Sequence, residues 1–167
     1  MLCNWKKVNI IEAEVCPDHI HVQVEIPPKC AVSSFIGYLK GKSTIVNFWN
    51  NGCGTCIAEM PELEEMYQEF QQDNINLIGV GADSGEGEEQ LELARKILAE
   101  KGVTYQNIVP NPENDFYKEF IGEIGGYPTT YVVDSEGNII GAPLIGNVKE
   151  QMDTLQSRIE LARGGKE

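Results

Sequence analysis

Two cysteines three positions apart, Cys53 and Cys56, are the residues of this sequence best placed to do chemistry. They lie in FWNNGCGTCIAEMP (residues 48–61), directly after an apolar run and directly before a helical pattern. A cysteine at the start of a helix faces unpaired N–H groups and the positive end of the helix dipole, which lower the pKa of its thiol. This position favours thiol–disulfide exchange, in which an exposed thiolate attacks and a second thiol resolves the mixed disulfide.

Two other uses of the pair weigh less. A purely structural disulfide between these cysteines would close a very short loop and constrain little of the unfolded chain. A zinc site would need further ligands at recognisable spacing, and the candidates lie in a different element without a second CxxC motif: Cys3, Cys16, His19, His21 and Cys30. We therefore predict no metal site. Cys16, His19 and His21 are interpreted as part of a solvated strand, and Cys3 and Cys30 as thiols without a function.

The hydrophobic pattern predicts the elements that must position the pair. Before the cysteines, the predicted elements are a hairpin of two strands (8–15 and 19–26), a short helix (31–39) and a buried strand (43–49). After them come an amphipathic helix, a second buried strand (75–83), a helix closed by Gly102 and a short strand (VTYQNIVP). The chain ends with a short helix (ENDFYKEFIG), two strands joined by a turn at Ser135–Asn138, and a final helix (VKEQMDTLQSRIELARG). Parallel strands with crossover helices, followed by a hairpin, imply a mixed sheet covered by helices on both faces.

Length and composition set the class of protein. At 167 residues, without a repeat or a linker, the chain is predicted to be one domain, with residues 1–30 as a hairpin extension and 31–163 as the core. A formal charge of −13 argues against nucleic acid as a partner. No apolar run is long enough to span a membrane, and Glu12 and Glu14 interrupt any signal peptide. We expect a monomer, cytoplasmic as the chain stands and extracytoplasmic if a leader was removed.

Two motifs in order, IVNFWNNGCGTCIAEMP and GGYPTTYVVDSEGNIIG, resemble the thioredoxin superfamily and most closely its TlpA/ResA-type thiol–disulfide oxidoreductases. The resemblance covers about residues 31–163. It implies an α/β, thioredoxin-like fold with a central mixed β-sheet flanked by helices, to which this chain adds an N-terminal β-hairpin. Asn47 lies where thioredoxin itself carries a buried aspartate, which favours the TlpA-type branch.

The resemblance also implies roles for individual residues. Cys53 would be the nucleophile, Cys56 the resolving thiol and Glu59 the glutamate of the CxxCxxE pattern, whereas spacing alone would make Glu59 a solvated helix residue. Pro61 matches the proline that kinks the active-site helix. The predicted substrate-binding residues surround the cysteine pair and include the proline of the cis-proline loop: Trp49, Tyr127, Pro128 and Thr129. Trp49 is expected to pack under the pair, and we predict a cis Tyr127–Pro128 bond.

The expected function is disulfide exchange with cysteine pairs of other proteins, as a disulfide reductase that an upstream electron donor resets, with neither a cofactor nor a metal. Two departures from the family, Gly52 before the first cysteine and Gly-Thr between the cysteines, leave the reduction potential open. Three alternatives remain: a redoxin-type peroxidase, a non-catalytic binding module and a zinc-binding domain. The peroxidase would need a P-x-x-x-[TS]-x-x-C arrangement, which no cysteine here matches.

Overall fold

The computed structural model of the protein describes residues 9–15, 20–25, 43–114 and 116–164, the first two ranges by their backbone. Its strands are β1 (Asn9–Val15), β2 (Ile20–Glu25), β3 (Thr44–Trp49), β4 (Asn76–Gly81), β5 (Gln106–Ile108), β6 (Thr129–Val133) and β7 (Leu144–Ile145). Its α-helices are α1 (Gly54–Phe70), α2 (Glu88–Glu100) and α3 (Met152–Ala162). The helix expected at residues 31–39 lies outside the described residues.

Five strands form the central sheet in the order β5-β4-β3-β6-β7. β3 pairs in parallel with β4, and β4 with β5, whereas β6 and β7 join antiparallel. The expected mixed sheet flanked by helices is confirmed. β1 and β2 pair antiparallel as a separate two-stranded sheet.

The alternation of side chains along β3 divides the core into two layers. Ile45 and Trp49 face the layer that contains the buried residues of α1, α2 and α3. Val46 and Phe48 face the opposite layer, which contains Phe116 and Ile121 from the connection before β6. Asn47 lies between Ile45 and Trp49 on the same face of β3 and therefore points towards α1.

Helix α1 begins at the cysteine pair and buries one face. Its buried residues recur at helical spacing, as the sequence predicts, and they are Cys56, Glu59, Met60, Leu63 and Met66. Pro61 lies inside the helix and cannot donate the usual hydrogen bond to the carbonyl four residues earlier.

The carboxyl-terminal third departs from the expected elements. The second strand of the hairpin is reduced to one bridge, Val133 to Ile139, and the two residues of β7. Between them lie Gly141, whose φ of 73° is unsuited to a strand, and Pro143, which has no N–H to donate. The short helix before β6 is a π-helical turn (Phe116–Phe120) followed by a 3-10 turn (Ile121–Glu123), and the final helix begins with a 3-10 turn (Val148–Gln151).

Candidate functional site

The cysteine pair lies where β3 ends and α1 begins. Cys53 is the N-cap residue of α1, and its Sγ accepts a hydrogen bond from the Cys56 N–H at 3.1 Å. The two sulfurs form a disulfide, and the Cα atoms lie 5.2 Å apart. Cys53 is half-buried, whereas Cys56 is 1% exposed. Of the two cysteines, Cys53 is therefore the more accessible to a partner molecule.

The loop before Cys53 is held by one residue that follows β4 and by one residue of α2. The Asn51 N–H donates to both carboxylate oxygens of Asp83 at 3.0 Å, and its side-chain amide donates to the backbone and side-chain oxygens of Gln90. Sequence reasoning missed both partners. The position of Asp83 just after a buried strand could have revealed it, because the carboxyl ends of parallel strands meet at one edge of a sheet.

Glu59 lies one turn beyond Cys56 and is 1% exposed. Its Oε1 accepts a hydrogen bond from Asn47 Nδ2 at 3.0 Å, and its Oε2 accepts one from the Val148 N–H at 3.1 Å. Asn47 Nδ2 also donates to Thr130 Oγ1. Glu59 is thus buried and not the solvated helix residue that spacing alone would predict, while its role in exchange stays a prediction.

The surroundings of Glu59 act on its pKa in opposite directions. Burial raises the pKa above the usual 4.5, because the charged form loses its solvation. The hydrogen bonds from the Val148 backbone and from Asn47 lower it, and the charge of Glu62 raises it further. Burial is the largest of these effects, so the carboxyl group holds its proton more tightly than a solvated glutamate does.

Trp49 packs behind the cysteine pair and is 1% exposed. Its indole Nε1 donates to Asn107 Oδ1 at 3.0 Å, and Asn107 Nδ2 donates to the backbone oxygen of Tyr105. The packing expected for Trp49 is thus found, while its contact with a substrate stays a prediction. Asn107, which fixes the indole, was not anticipated from the sequence.

The Tyr127–Pro128 bond is cis, as predicted. The Pro128 carbonyl accepts a hydrogen bond from the Gly146 N–H at 2.9 Å, and Thr129 Oγ1 donates to the Gly126 carbonyl at 2.7 Å. Of the four predicted substrate-binding residues, Tyr127 alone keeps appreciable exposure. Burial raises the pKa of its hydroxyl, and the charges of Asp83 and Glu86 add to this effect.

Several residues considered from the sequence fall elsewhere. Cys3, Cys16, His19 and Cys30 lie outside the described residues, and His21 lies in β2, of which the backbone is described. Within residues 43–114 and 116–164, no three histidine, cysteine or acidic side chains are arranged to hold a metal. In the same part of the chain, every helix is too short or too polar to cross a membrane.

Comparison with known proteins accounts for the larger part of the chain. Residues 30–142 match the AhpC/TSA family. The chain belongs to this family. It is a thioredoxin-superfamily protein of the ResA/TlpA type, as the paired motifs indicated.

Two relatives illustrate this similarity. The chain is 31% identical over 101 residues to the thiol-disulfide oxidoreductase ResA of Oceanobacillus iheyensis, a match that covers 60% of this chain and 48% of the relative. A solved structure of a thiol:disulfide interchange protein, a thioredoxin family protein from Chlorobium tepidum TLS, superposes with a TM-score of 0.56 and 27% identity. The superposition covers 74% of this chain and 81% of the solved chain.

The amino-terminal part has a different relative. Residues 1–52 match a family described as transposase IS200 like. The transposase for insertion sequence element IS200 of Salmonella typhimurium is 67% identical over 45 residues, which cover 27% of this chain and 30% of the transposase. This chain thus spans less than half the length of either of these two curated relatives.

Proposed function

We propose that this protein is a disulfide reductase that exchanges disulfides with protein substrates through Cys53 and Cys56. The observation that carries the proposal is the unequal exposure of two bonded cysteines at a helix start, with a buried carboxyl group one turn further on. The family and the named activity of its ResA relatives support the same chemistry.

In the first step, the reduced protein presents Cys53 as a thiolate. The helix dipole and the N–H groups of the first turn of α1, including that of Cys56, stabilise its charge. The thiolate attacks one sulfur of a substrate disulfide, the substrate S–S bond breaks, and the departing sulfur takes up a proton from solvent. A mixed disulfide between Cys53 and the substrate results.

In the second step, Cys56 gives up its proton and attacks Cys53. The mixed disulfide breaks, the second substrate thiol leaves reduced, and the Cys53–Cys56 disulfide forms. Glu59 lies one turn from Cys56 on the same buried face and is the group that takes the proton. A dithiol donor then returns two electrons and two protons to the pair.

The cis-proline loop supplies the docking surface. Tyr127 is half-buried, and in this proposal its accessible part contacts the substrate while the backbone of this segment pairs with an extended stretch of it. Trp49, Pro128 and Thr129 are buried, and in this proposal they shape the surface from beneath.

The test is differential alkylation of the reduced protein at neutral pH, followed by peptide mapping. We expect iodoacetamide to modify Cys53 at least about tenfold faster than Cys56, because exposure and the helix terminus favour Cys53 alone. Cys56→Ser should trap a mixed disulfide with insulin, and Cys53→Ser should trap none.

Three further measurements separate a reductase from a non-catalytic module and from a peroxidase: the reduction potential, the turnover of insulin disulfides and the consumption of hydrogen peroxide. A reductase should have a potential in the lower half of the known range of about −270 to −120 mV. Equal alkylation rates, or no turnover of insulin disulfides, would contradict the proposal. Consumption of hydrogen peroxide by the reduced wild type would favour a peroxidase instead.

A further inference from the structure

Residues 146–149, which follow β7, contact both the cis-proline loop and α1. The Gly146 N–H donates to the Pro128 carbonyl at 2.9 Å. The Val148 N–H donates to Glu59 Oε2 at 3.1 Å. This segment therefore joins the predicted docking loop to the buried carboxyl group through two backbone hydrogen bonds.

Short-range hydrogen bonds make the segment and its flanks one unit. Asn147 Oδ1 accepts a hydrogen bond from the Lys149 N–H at 2.8 Å. Gln151 Nε2 donates to the carbonyls of Ile145 and Asn147 at 3.0 and 3.3 Å. Because these bonds tie neighbouring residues to one another, a contact that holds one of them also holds Val148, which lies among them.

The Lys149 side chain attaches this unit to α1 a second time. Its Nζ lies 2.8 Å from Glu62 Oε1, and Lys149 is exposed whereas Glu62 is half-buried. Both line a groove between α1 and the start of α3, which Glu65 and Glu69 line as well. Glu62 follows Glu59 by three residues, so the two attachments to α1 lie about one helical turn apart.

Two influences on the Glu59 pKa depend on where Lys149 lies. The charge of Glu62 raises this pKa, and the hydrogen bond from the Val148 N–H lowers it. The ammonium group of Lys149 offsets the first, because it lies against the Glu62 carboxylate. By holding the segment it also maintains the second.

The other groups around Glu59 stay the same when Lys149 is changed. On α1 the remaining titratable neighbour is Cys56. The sheet presents the neutral amide of Asn47. From the segment before β5 comes Tyr105, whose hydroxyl is kept protonated because burial raises its pKa.

We propose that Lys149 is a positioning residue, whose ion pair with Glu62 holds residues 146–149 against α1. The Val148 N–H is thereby kept on the buried carboxylate, and the Gly146 N–H on the cis-proline loop. The attachment itself follows from the contacts above, and its consequence for disulfide exchange rests on the proposed function.

The consequence concerns the proton that leaves Cys56. Because the hydrogen bond from Val148 stabilises the charged form of Glu59, it keeps this carboxyl group able to accept the proton despite its burial. Lys149 contacts neither the cysteines nor the substrate in this scheme and acts through the segment alone.

Amide hydrogen exchange of the oxidised protein, followed by NMR, measures the attachment. We expect Lys149→Met to accelerate exchange of the Val148 and Gly146 N–H groups by up to about fivefold, the upper end for a partly exposed ion pair. The Ala82 N–H, which donates to the Trp49 carbonyl at 2.7 Å, reports any general loss of stability and should exchange as before.

Three variants separate the ion pair from other effects. Lys149→Arg keeps the charge and should exchange like the wild type. In a Glu62→Gln background, Lys149→Met should accelerate exchange no further, because the ion pair is already lost. Lys118→Met breaks another exposed ion pair, with Glu113 at 3.8 Å, and should leave both amides of the segment unchanged.

A pH titration of the oxidised protein measures the effect on Glu59. The chemical shift of the Val148 amide proton follows the charge of its acceptor and gives the midpoint. Lys149→Met should raise it by up to about half a pH unit, roughly a threefold change in proton affinity. Both causes have this sign, since a weaker Val148 bond and an uncompensated Glu62 charge each favour the protonated form.

The reduced protein then tests the consequence for the reaction. Below the Glu59 midpoint, Lys149→Met should slow single-turnover release of the mixed disulfide by up to about threefold, and Lys149→Arg should restore the rate. Absence of disulfide turnover in the wild type would count against the proposed function alone.

Four results would overturn the inference. They are an unchanged amide exchange rate at Val148 in Lys149→Met, an equal acceleration at Ala82, an undiminished acceleration in the Glu62→Gln background, and equal release rates for wild type and Lys149→Met in a protein that turns over.

Discussion

The Asn47 side chain favours the ionised form of Glu59, the buried carboxyl group one turn from Cys56. Its amide donates at the same time to the Glu59 carboxylate and to the Thr130 hydroxyl. A carboxylate at this position would place two acids against each other, and one of them would keep its proton. With a neutral donor at residue 47, Glu59 has no second acid against it and can ionise, as its role as proton acceptor in the proposed mechanism requires.

Glu59 should make the stability of the fold fall as pH rises. Its pKa in the folded protein is raised above 4.5 by burial, so the folded state binds the proton more tightly than the unfolded state. The stabilisation by the protonated form is complete below about pH 4.5 and is lost as pH rises through the folded pKa. Each unit of pKa difference corresponds to about 1.4 kcal/mol.

Urea denaturation of oxidised protein across this pH range measures the effect. Relative to Glu59→Gln, the wild type should lose free energy of unfolding between about pH 4.5 and the folded pKa and then reach a plateau. The substitution also removes one hydrogen bond, which favours the ionised carboxylate and so opposes the effect of burial without exceeding it. Glu65→Gln, an exposed site on the same helix, is the control. Parallel curves for wild type and Glu59→Gln would show that Glu59 is not a buried titrating group.

At the scale of elements, the close approach of β4 and β5 determines where Trp49 lies. Gly79 of β4 pairs with Asn107 of β5, and a Cβ atom at Gly79 would lie 2.0 Å from Asn107 Oδ1. That oxygen accepts the Trp49 indole N–H. The absence of a side chain at Gly79 thus makes room for the amide that holds the indole behind the cysteines.

Gly79→Ala is expected to destabilise the protein by about 1–3 kcal/mol, because the added methyl group must displace Asn107. Thermal or urea unfolding measures the loss. In an Asn107→Ala background the penalty should shrink, since the colliding amide is gone. Gly125→Ala, where a Cβ atom would meet nothing within 4 Å, is the control. Equal losses at Gly79 and Gly125 would contradict this account.

The elements differ in how far the sequence predicts them. β3, β4, α1 and α2 follow from local patterns, since long apolar runs and helical spacing are decided by the residues themselves. The short length of β7 was missed because the apolar run favours a strand, although Gly141 and Pro143 within it are signals that interrupt one. Pro128 and Glu59 were identified by motif, and Asp83 could have been found from its position after a buried strand. Asn107 acts through Trp49, 58 residues away in sequence, which no local pattern reveals.

At the scale of the whole molecule, charge is distributed unevenly between the two parts that have different relatives. Residues 1–52, which match the IS200-like transposase family, contain five lysines and four acidic residues. The remaining residues contain eight basic and 22 acidic side chains, a net charge of −14, so all of the chain's excess negative charge lies in the oxidoreductase part. The sequence argument against nucleic acid therefore applies to the chain as a whole and says less about its first 52 residues.

The full chain is nevertheless expected not to retain double-stranded DNA at physiological salt. Non-specific binding requires several cations that neutralise phosphates together, and one net positive charge in residues 1–52 cannot offset the repulsion from the acidic part. Fluorescence anisotropy with a labelled duplex, at about 50 and 150 mM salt, measures this. The control replaces Lys6, Lys7 and Lys29 with glutamine in the same full-length chain. Binding at 150 mM that this variant loses would show that the transposase-like residues give an oxidoreductase-family chain a second, nucleic-acid partner.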